Sequence, residues 1–86
     1  MSIPEVSFII AAYNSAKTIR RAVESALAQR DVTVEVVVVD DCSADDTRDV
    51  VASMADERLR LITLPQNRGP GGARNAGFDA ARGRWL

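Results

Sequence analysis

The chain has 86 residues with a formal net charge of -1, 47% apolar and 27% charged residues, one Cys and no His. This near-neutral balance argues against a general nucleic-acid binder or a polybasic membrane anchor. The single thiol excludes an internal disulfide and fits a reducing compartment, and the lack of His excludes imidazole bases and imidazole metal ligands.

No apolar run approaches the roughly 18 residues of a membrane span. The first five residues lack the basic and apolar regions of a signal peptide. Val6 to Tyr13 reads as a first strand, broken at Asn14-Ser15. Ser15 is a candidate N-cap, and Ile19, Ala22, Val23, Ala26 and Leu27 follow at helical spacing, which predicts a helix to about Gln29. Val34 to Val39 reads as a second strand. Its four consecutive valines, Val36 to Val39, suit a strand covered on both faces, as in a parallel sheet. Ser43 and Asp46 have the spacing of a capping box, and Val50, Val51 and Met54 give the helix after it a buried face.

Leu59 to Leu64 is a third strand, and Pro65 to Gly72 reads as a polar, Gly-rich turn. Ala73, Ala76, Gly77, Ala80 and Ala81 predict a third helix with a small-sided face for close packing on a sheet. Arg84-Trp85-Leu86 reads as the start of a fourth strand. Strands alternating with helices predict one α/β domain over residues 1–86, a Rossmann-like parallel sheet with right-handed crossovers. A strand opening at the last residues predicts that this domain is the first part of a longer one.

Three places hold chemistry. Tyr13-Asn14 ends the first strand, as a plain aromatic-and-turn stop or as a ring offered to a flat ligand. Asp40 and Asp41 end the second strand, on the same sheet edge, where open α/β sheets bind ligands. One of them orders the turn, or one accepts hydrogen bonds from a base or ribose. Asn67 to Asn75 has three glycines between Arg68 and Arg74. It reads either as a flexible loop with solvated guanidinium groups or as a backbone that approaches an anion at a helix N-terminus, with Arg68 and Arg74 as cations for a diphosphate. It has neither the Lys-Ser/Thr of a P-loop nor the spacing of a dinucleotide-binding turn. A receiver-like domain is a poor match, because its acidic pair follows the first strand and it needs a later Lys, whereas the only Lys here is Lys17. A non-catalytic binding module with a vestigial cleft stays open.

Taken together, Ser7 to Asn14, then Val38-Val39-Asp40-Asp41-Cys42-Ser43-x-Asp45, then Asn67-x-Gly69 with Ala73-Arg74-Asn75-x-Gly77, and Ala81-x-Gly83-x-Trp85 resemble glycosyltransferase family 2 along essentially the whole chain. The resemblance implies the N-terminal, nucleotide-binding half of a GT-A fold, truncated in its fourth strand, which pairs beside the first. It implies that Tyr13 lies against a base, usually uracil, that Asp41 hydrogen-bonds to it, and that Arg74 reaches the base or phosphates. The nucleotide-binding set is then Ala12, Tyr13, Asn14, Asp40, Asp41, Arg68, Gly69 and Arg74.

The resemblance also implies transfer of a sugar, with inversion, from a nucleotide-diphosphate sugar such as a UDP-sugar to a saccharide or other acceptor. The setting is polysaccharide assembly in the cytoplasm, at the inner face of the membrane. A divalent metal, Mn or Mg, is implied for the full-length enzyme. Its Asp-x-Asp ligands and the catalytic base are absent from this sequence, so no metal or catalytic residue is assigned in it. Asp40-Asp41 does not replace them, since adjacent residues of an extended chain point to opposite faces.

The isolated chain is expected to be catalytically silent and to self-associate through its first strand. Phe8, Ile9 and Ile10 would line an open edge there, and the face of Ile9, Val37 and Leu61 would lose cover. Asp41→Asn is expected to weaken nucleotide binding with little effect on folding.

Overall fold

Every residue of strand β2 (Val34–Asp40) is buried, and Val36 to Val39 expose no surface. In this computed structural model, which describes residues 4–82 and 84–85, the strand lies inside a parallel sheet. Its companions are β1 (Val6–Ala12), β3 (Leu59–Thr63) and β4 (Arg84–Trp85). Helices α1 (Ile19–Leu27), α2 (Thr47–Ala52) and α3 (Gly69–Ala80) alternate with the strands. The order across the described sheet is β3-β2-β1-β4. The fourth strand pairs beside β1, as expected, with Arg84 opposite Val6 and Trp85 opposite Ser7.

Register sorts the side chains onto two faces. Ile10 pairs with Val38 and Val38 with Leu61, whereas Ile9 pairs with Val37 and Val37 with Arg60. The first set joins Val36, Phe8 and Leu59 under Ile19, Val23 and Ala26 of α1 and Val51 of α2. The second joins Val39 and Leu64 under Ala73, Ala76 and Ala80 of α3. Leu61 therefore packs on the α1/α2 face, not beside Ile9 and Val37. The side-chain period of two leaves the position opposite Val37 to Arg60.

The third helix lies close to the sheet because Gly77 has no Cβ. One built there would stand 2.3 Å from Ile9 Cγ2 and 3.2 Å from Val39 Cγ2.

Several predicted boundaries move. The first helix begins at Ile19 after a turn and ends at Leu27, and Ala22 is exposed. Ser15 does not cap it with its side chain. Its carbonyl accepts the N–H groups of Thr18 (3.0 Å) and Ile19 (2.8 Å), and its hydroxyl donates to Tyr13 O at 3.1 Å. The capping box is not formed either. Asp46 is the N-cap of α2 without a side-chain cap bond, and Ser43 Oγ instead accepts the Asn14 N–H at 2.9 Å. The segment Gly69-Pro70-Gly71-Gly72 is the first turn of α3, not part of a turn before it. Proline is pre-organised for that place in a helix, where its missing N–H costs nothing. Ala81 closes the helix in an extended conformation.

Candidate functional site at the strand ends

Parallel strands deliver the C-terminal ends of β1 and β2 to one side of the molecule, beside the start of α3. They enclose there a pocket of about 300 Å³ lined by Ala11, Ala12, Tyr13, Asp41, Asn67, Gly69, Pro70 and Ala73. Of the eight residues expected to bind a nucleotide, Ala12, Tyr13, Asp41 and Gly69 line it. Asn14, Asp40, Arg68 and Arg74 do not.

Tyr13 is 52% exposed although it is a large aromatic residue. The backbone turns sharply at Asn14 (φ 50) and at Cys42 (φ 63), both beside pocket residues. Asn tolerates this left-handed conformation, and its Oδ1 accepts the Ala44 N–H at 2.8 Å. Strained backbone of this kind concentrates at binding sites.

The two carboxylates at the end of β2 diverge. Asp40 is fully buried. One of its oxygens accepts the Ser43 N–H at 3.0 Å and lies 3.6 Å from Arg48 Nε, while the other, Oδ1, has no partner. Asp41 is only 3% exposed. Its oxygens accept the Arg68 N–H at 2.7 Å and the Gly69 N–H at 2.9 Å. Asn67 Nδ2 donates to the Asp41 carbonyl at 3.3 Å.

This revises the reading of the Gly-rich segment. The amides expected to await an anion at the start of α3 already hold one, the Asp41 carboxylate, which also suits the positive end of the helix dipole. Arg68 contributes its backbone here, and its side chain, like that of Arg74, lies on the exposed surface.

Asp41 thus both lines the pocket and fixes the loop that forms its far wall. Asn67 and Pro70, in the Gly-rich segment, line the pocket although they are not among the eight expected binding residues. The signal for Pro70 was present, since a proline just inside a helix start is favoured there.

A second set of bonds ties the β1–α1 loop to the β2–α2 loop. Ser15 N–H donates to Thr47 Oγ1 at 2.8 Å and Ala16 N–H to Asp45 Oδ2 at 3.1 Å. Asp45 Oδ1 accepts from both the Thr47 N–H, at 3.0 Å, and the Thr47 hydroxyl. Chiefly through that hydroxyl, and despite some desolvation, the Asp45 carboxyl is held below the usual carboxylate range. A carboxylate with its folded-state pKa lowered adds stability above its unfolded value, near pH 4, and loses it as pH falls through the folded value. Stability should therefore decline more steeply below about pH 4 in the native chain than in Asp45→Asn, as measured by urea titration across that range. Parallel curves for the two proteins would contradict this.

Among the described residues no three of His, Cys, Asp and Glu gather into a group able to hold a metal. These described residues do not fit a divalent ion's ligand set. Asp40 and Asp41 do not form one, because they point into different surroundings.

The architecture is that of GT-A glycosyltransferases. The structure of S. aureus TarS in complex with UDP matches 95% of this chain at a TM-score of 0.82 and 37% identity. The mannosyltransferase PcManGT from Pyrobaculum calidifontis, in complex with GDP-Man and Mn2+, matches 94% at a TM-score of 0.77 and 28% identity. The chain belongs to glycosyltransferase family 2, whose family model matches residues 7–86. It is 70% identical over 84 residues to the succinoglycan biosynthesis protein ExoO of Rhizobium meliloti, which covers 98% of this chain. The chain spans only part of these proteins: 24% of ExoO, 26% of the TarS segment 1–349 and 25% of PcManGT.

Proposed function

We propose that this chain is the nucleotide-sugar-binding half of the catalytic domain of a glycosyltransferase that moves a sugar from a UDP-sugar to a saccharide or other acceptor with inversion, in polysaccharide assembly. The observation that carries the reading is the meeting of Tyr13 and Asp41 in one small pocket against the start of α3. Similarity to a UDP-bound relative supports the choice of uridine.

On this reading the Tyr13 ring stacks on uracil and Asp41 accepts its ring N–H. A carboxylate offers about four acceptor sites, so the Arg68 and Gly69 amides leave room for a third donor. Ala11, Ala12 and Ala73 leave space for a planar ring. Arg68 and Arg74, which lie outside the pocket on the exposed surface, are proposed to supply positive charge toward the diphosphate. Asp40 and Asn14 act outside the pocket, holding the loops that shape it. A divalent ion, Mn or Mg, belongs to the complete enzyme, with ligands other than Asp40 and Asp41. The reaction is assigned to the cytoplasm, at the inner face of the membrane, and no helix among the described residues is long and apolar enough to cross one.

Titration with UDP should perturb the amide signals of residues 11–14 and 40–43. Tyr13→Ala should remove about 1–3 kcal/mol of binding, the usual worth of a base–aromatic stack. Perturbation confined to residues 68–75 would mean that phosphate alone is recognised and would remove the base site.

The chain alone is proposed to self-associate through β1, since the described β4 pairs only with Val6 and Ser7. Sedimentation at micromolar concentration should show species larger than the monomer. A cooperative monomer with all its β1 amides protected from exchange would refute this.

A further inference from the structure

Tyr13 supplies the aromatic wall of the pocket, yet half of its surface faces solvent. What fixes it is the backbone beyond it. Three consecutive amides, those of Asn14, Ser15 and Ala16, donate to three side chains of the other loop: Ser43 Oγ, Thr47 Oγ1 and Asp45 Oδ2. In return Asn14 Oδ1 accepts the Ala44 N–H. A loop has no ladder to satisfy its amides, so side-chain acceptors set its path. Thr47 is fully buried, and its hydroxyl accepts from Ser15 while donating to Asp45. Asp45 and Thr47 form no part of the pocket lining. A stack depends on ring placement, and ring placement here depends on them.

We infer that Asp45 and Thr47 are positioning residues for the base site, clasping the loop over residues 14–16 so that Tyr13 stands in the same pocket as Asp41 and Pro70. The inference rests on the base-binding reading above and adds residues that never touch the ligand. The cations proposed above for the diphosphate, Arg68 and Arg74, lie outside the loops that the clasp joins. The clasp should therefore govern recognition of the base and leave recognition of phosphate alone.

The test uses the chain with uridine and inorganic pyrophosphate as separate probes. Thr47→Val keeps the shape of the side chain and removes the hydroxyl, Thr47→Ser keeps the hydroxyl, and Asp45→Ala removes an exposed carboxylate. Uridine affinity should fall about tenfold in Thr47→Val and Asp45→Ala and stay within about twofold of native in Thr47→Ser, with pyrophosphate affinity unchanged throughout. Without ligand, amide exchange at Asn14, Ser15 and Ala16 should quicken in both weakened variants. The ring signals of Tyr13, the only tyrosine, should broaden or shift.

Native uridine affinity in both weakened variants overturns the inference. So does a joint loss of uridine and pyrophosphate binding that tracks the folded fraction, since that marks a merely structural role. If the native chain binds no uridine, the base-site reading fails separately. The ligand-free measurements then decide the clasp, and unchanged exchange and ring signals in Thr47→Val overturn it.

Discussion

Asp41→Ala should destabilise the domain by about 2–3 kcal/mol and abolish uridine binding. The stability loss comes from the Arg68 and Gly69 amides, which donate to the buried carboxylate at 2.7 and 2.9 Å. Hydrogen bonds to a charged group contribute about 1.5–3 kcal/mol each. The Gly69 N–H keeps a second acceptor, Asn67 Oδ1 at 3.1 Å, so the Arg68 N–H carries most of the cost. Asp41→Asn should lose about 1–2 kcal/mol, because one amide oxygen serves one donor while the new NH2 faces the other. The sequence alone suggests little effect of Asn on folding, and the two backbone donors raise the expected loss. Urea denaturation at constant slope measures the effect. An unchanged midpoint in Asp41→Ala would show that the carboxylate does not hold the start of α3.

Gly77→Ala should destabilise the fold, and Gly71→Ala should stabilise it. Both glycines are helical, and propensity alone favours alanine by about 1 kcal/mol at either. A Cβ at Gly77 would meet Ile9 Cγ2 at 2.3 Å, whereas one at Gly71 meets nothing within 4 Å. Overpacking of this kind costs about 1–3 kcal/mol, and here the side chain it strikes stands on β1, between β2 and β4. The net loss at Gly77 should be about 1–2 kcal/mol, and Gly77→Val, bulkier and a poorer helix former, should exceed it. Equal gains from alanine at both positions would mean that α3 shifts freely over the sheet. In a domain this small such losses are large, since each kcal/mol lowers the thermal midpoint by roughly 4–8 °C.

The strand-and-helix order was legible because its signals are local. Val36 to Val39 announce a strand with two covered faces. Once the sheet is parallel, Tyr13 and Asp41 must reach the same edge. The partners of Asp41 were not legible, because they are backbone amides of residues far away in the chain and no residue type marks them. Ser43 and Asp46 carry the letters of a capping box, but Ser43 is drawn to the Asn14 amide, an acceptor demand that arises only when two loops meet. Leu61 was put on the wrong face for a related reason. Alternation tells which neighbours share a side within β3, and only its register with β2 tells which side that is.

Arg60 brings a different consequence. It lies on β3, the outer strand of the described sheet, and points inward toward α3, where its guanidinium donates to the Ala80 carbonyl at 2.7 Å. Just before β3, Arg58 donates in the same way to the Leu27 carbonyl, at 3.2 Å, at the end of α1. Arg58 is also paired with Asp56 at 2.9 Å, and charge that points inward at an outer strand is one way in which sheets discourage pairing with another strand. The β3 flank of the described sheet is therefore a guarded one. A strand added beyond β3 would meet that charge first, so this edge is a poor template for pairing with a neighbouring chain.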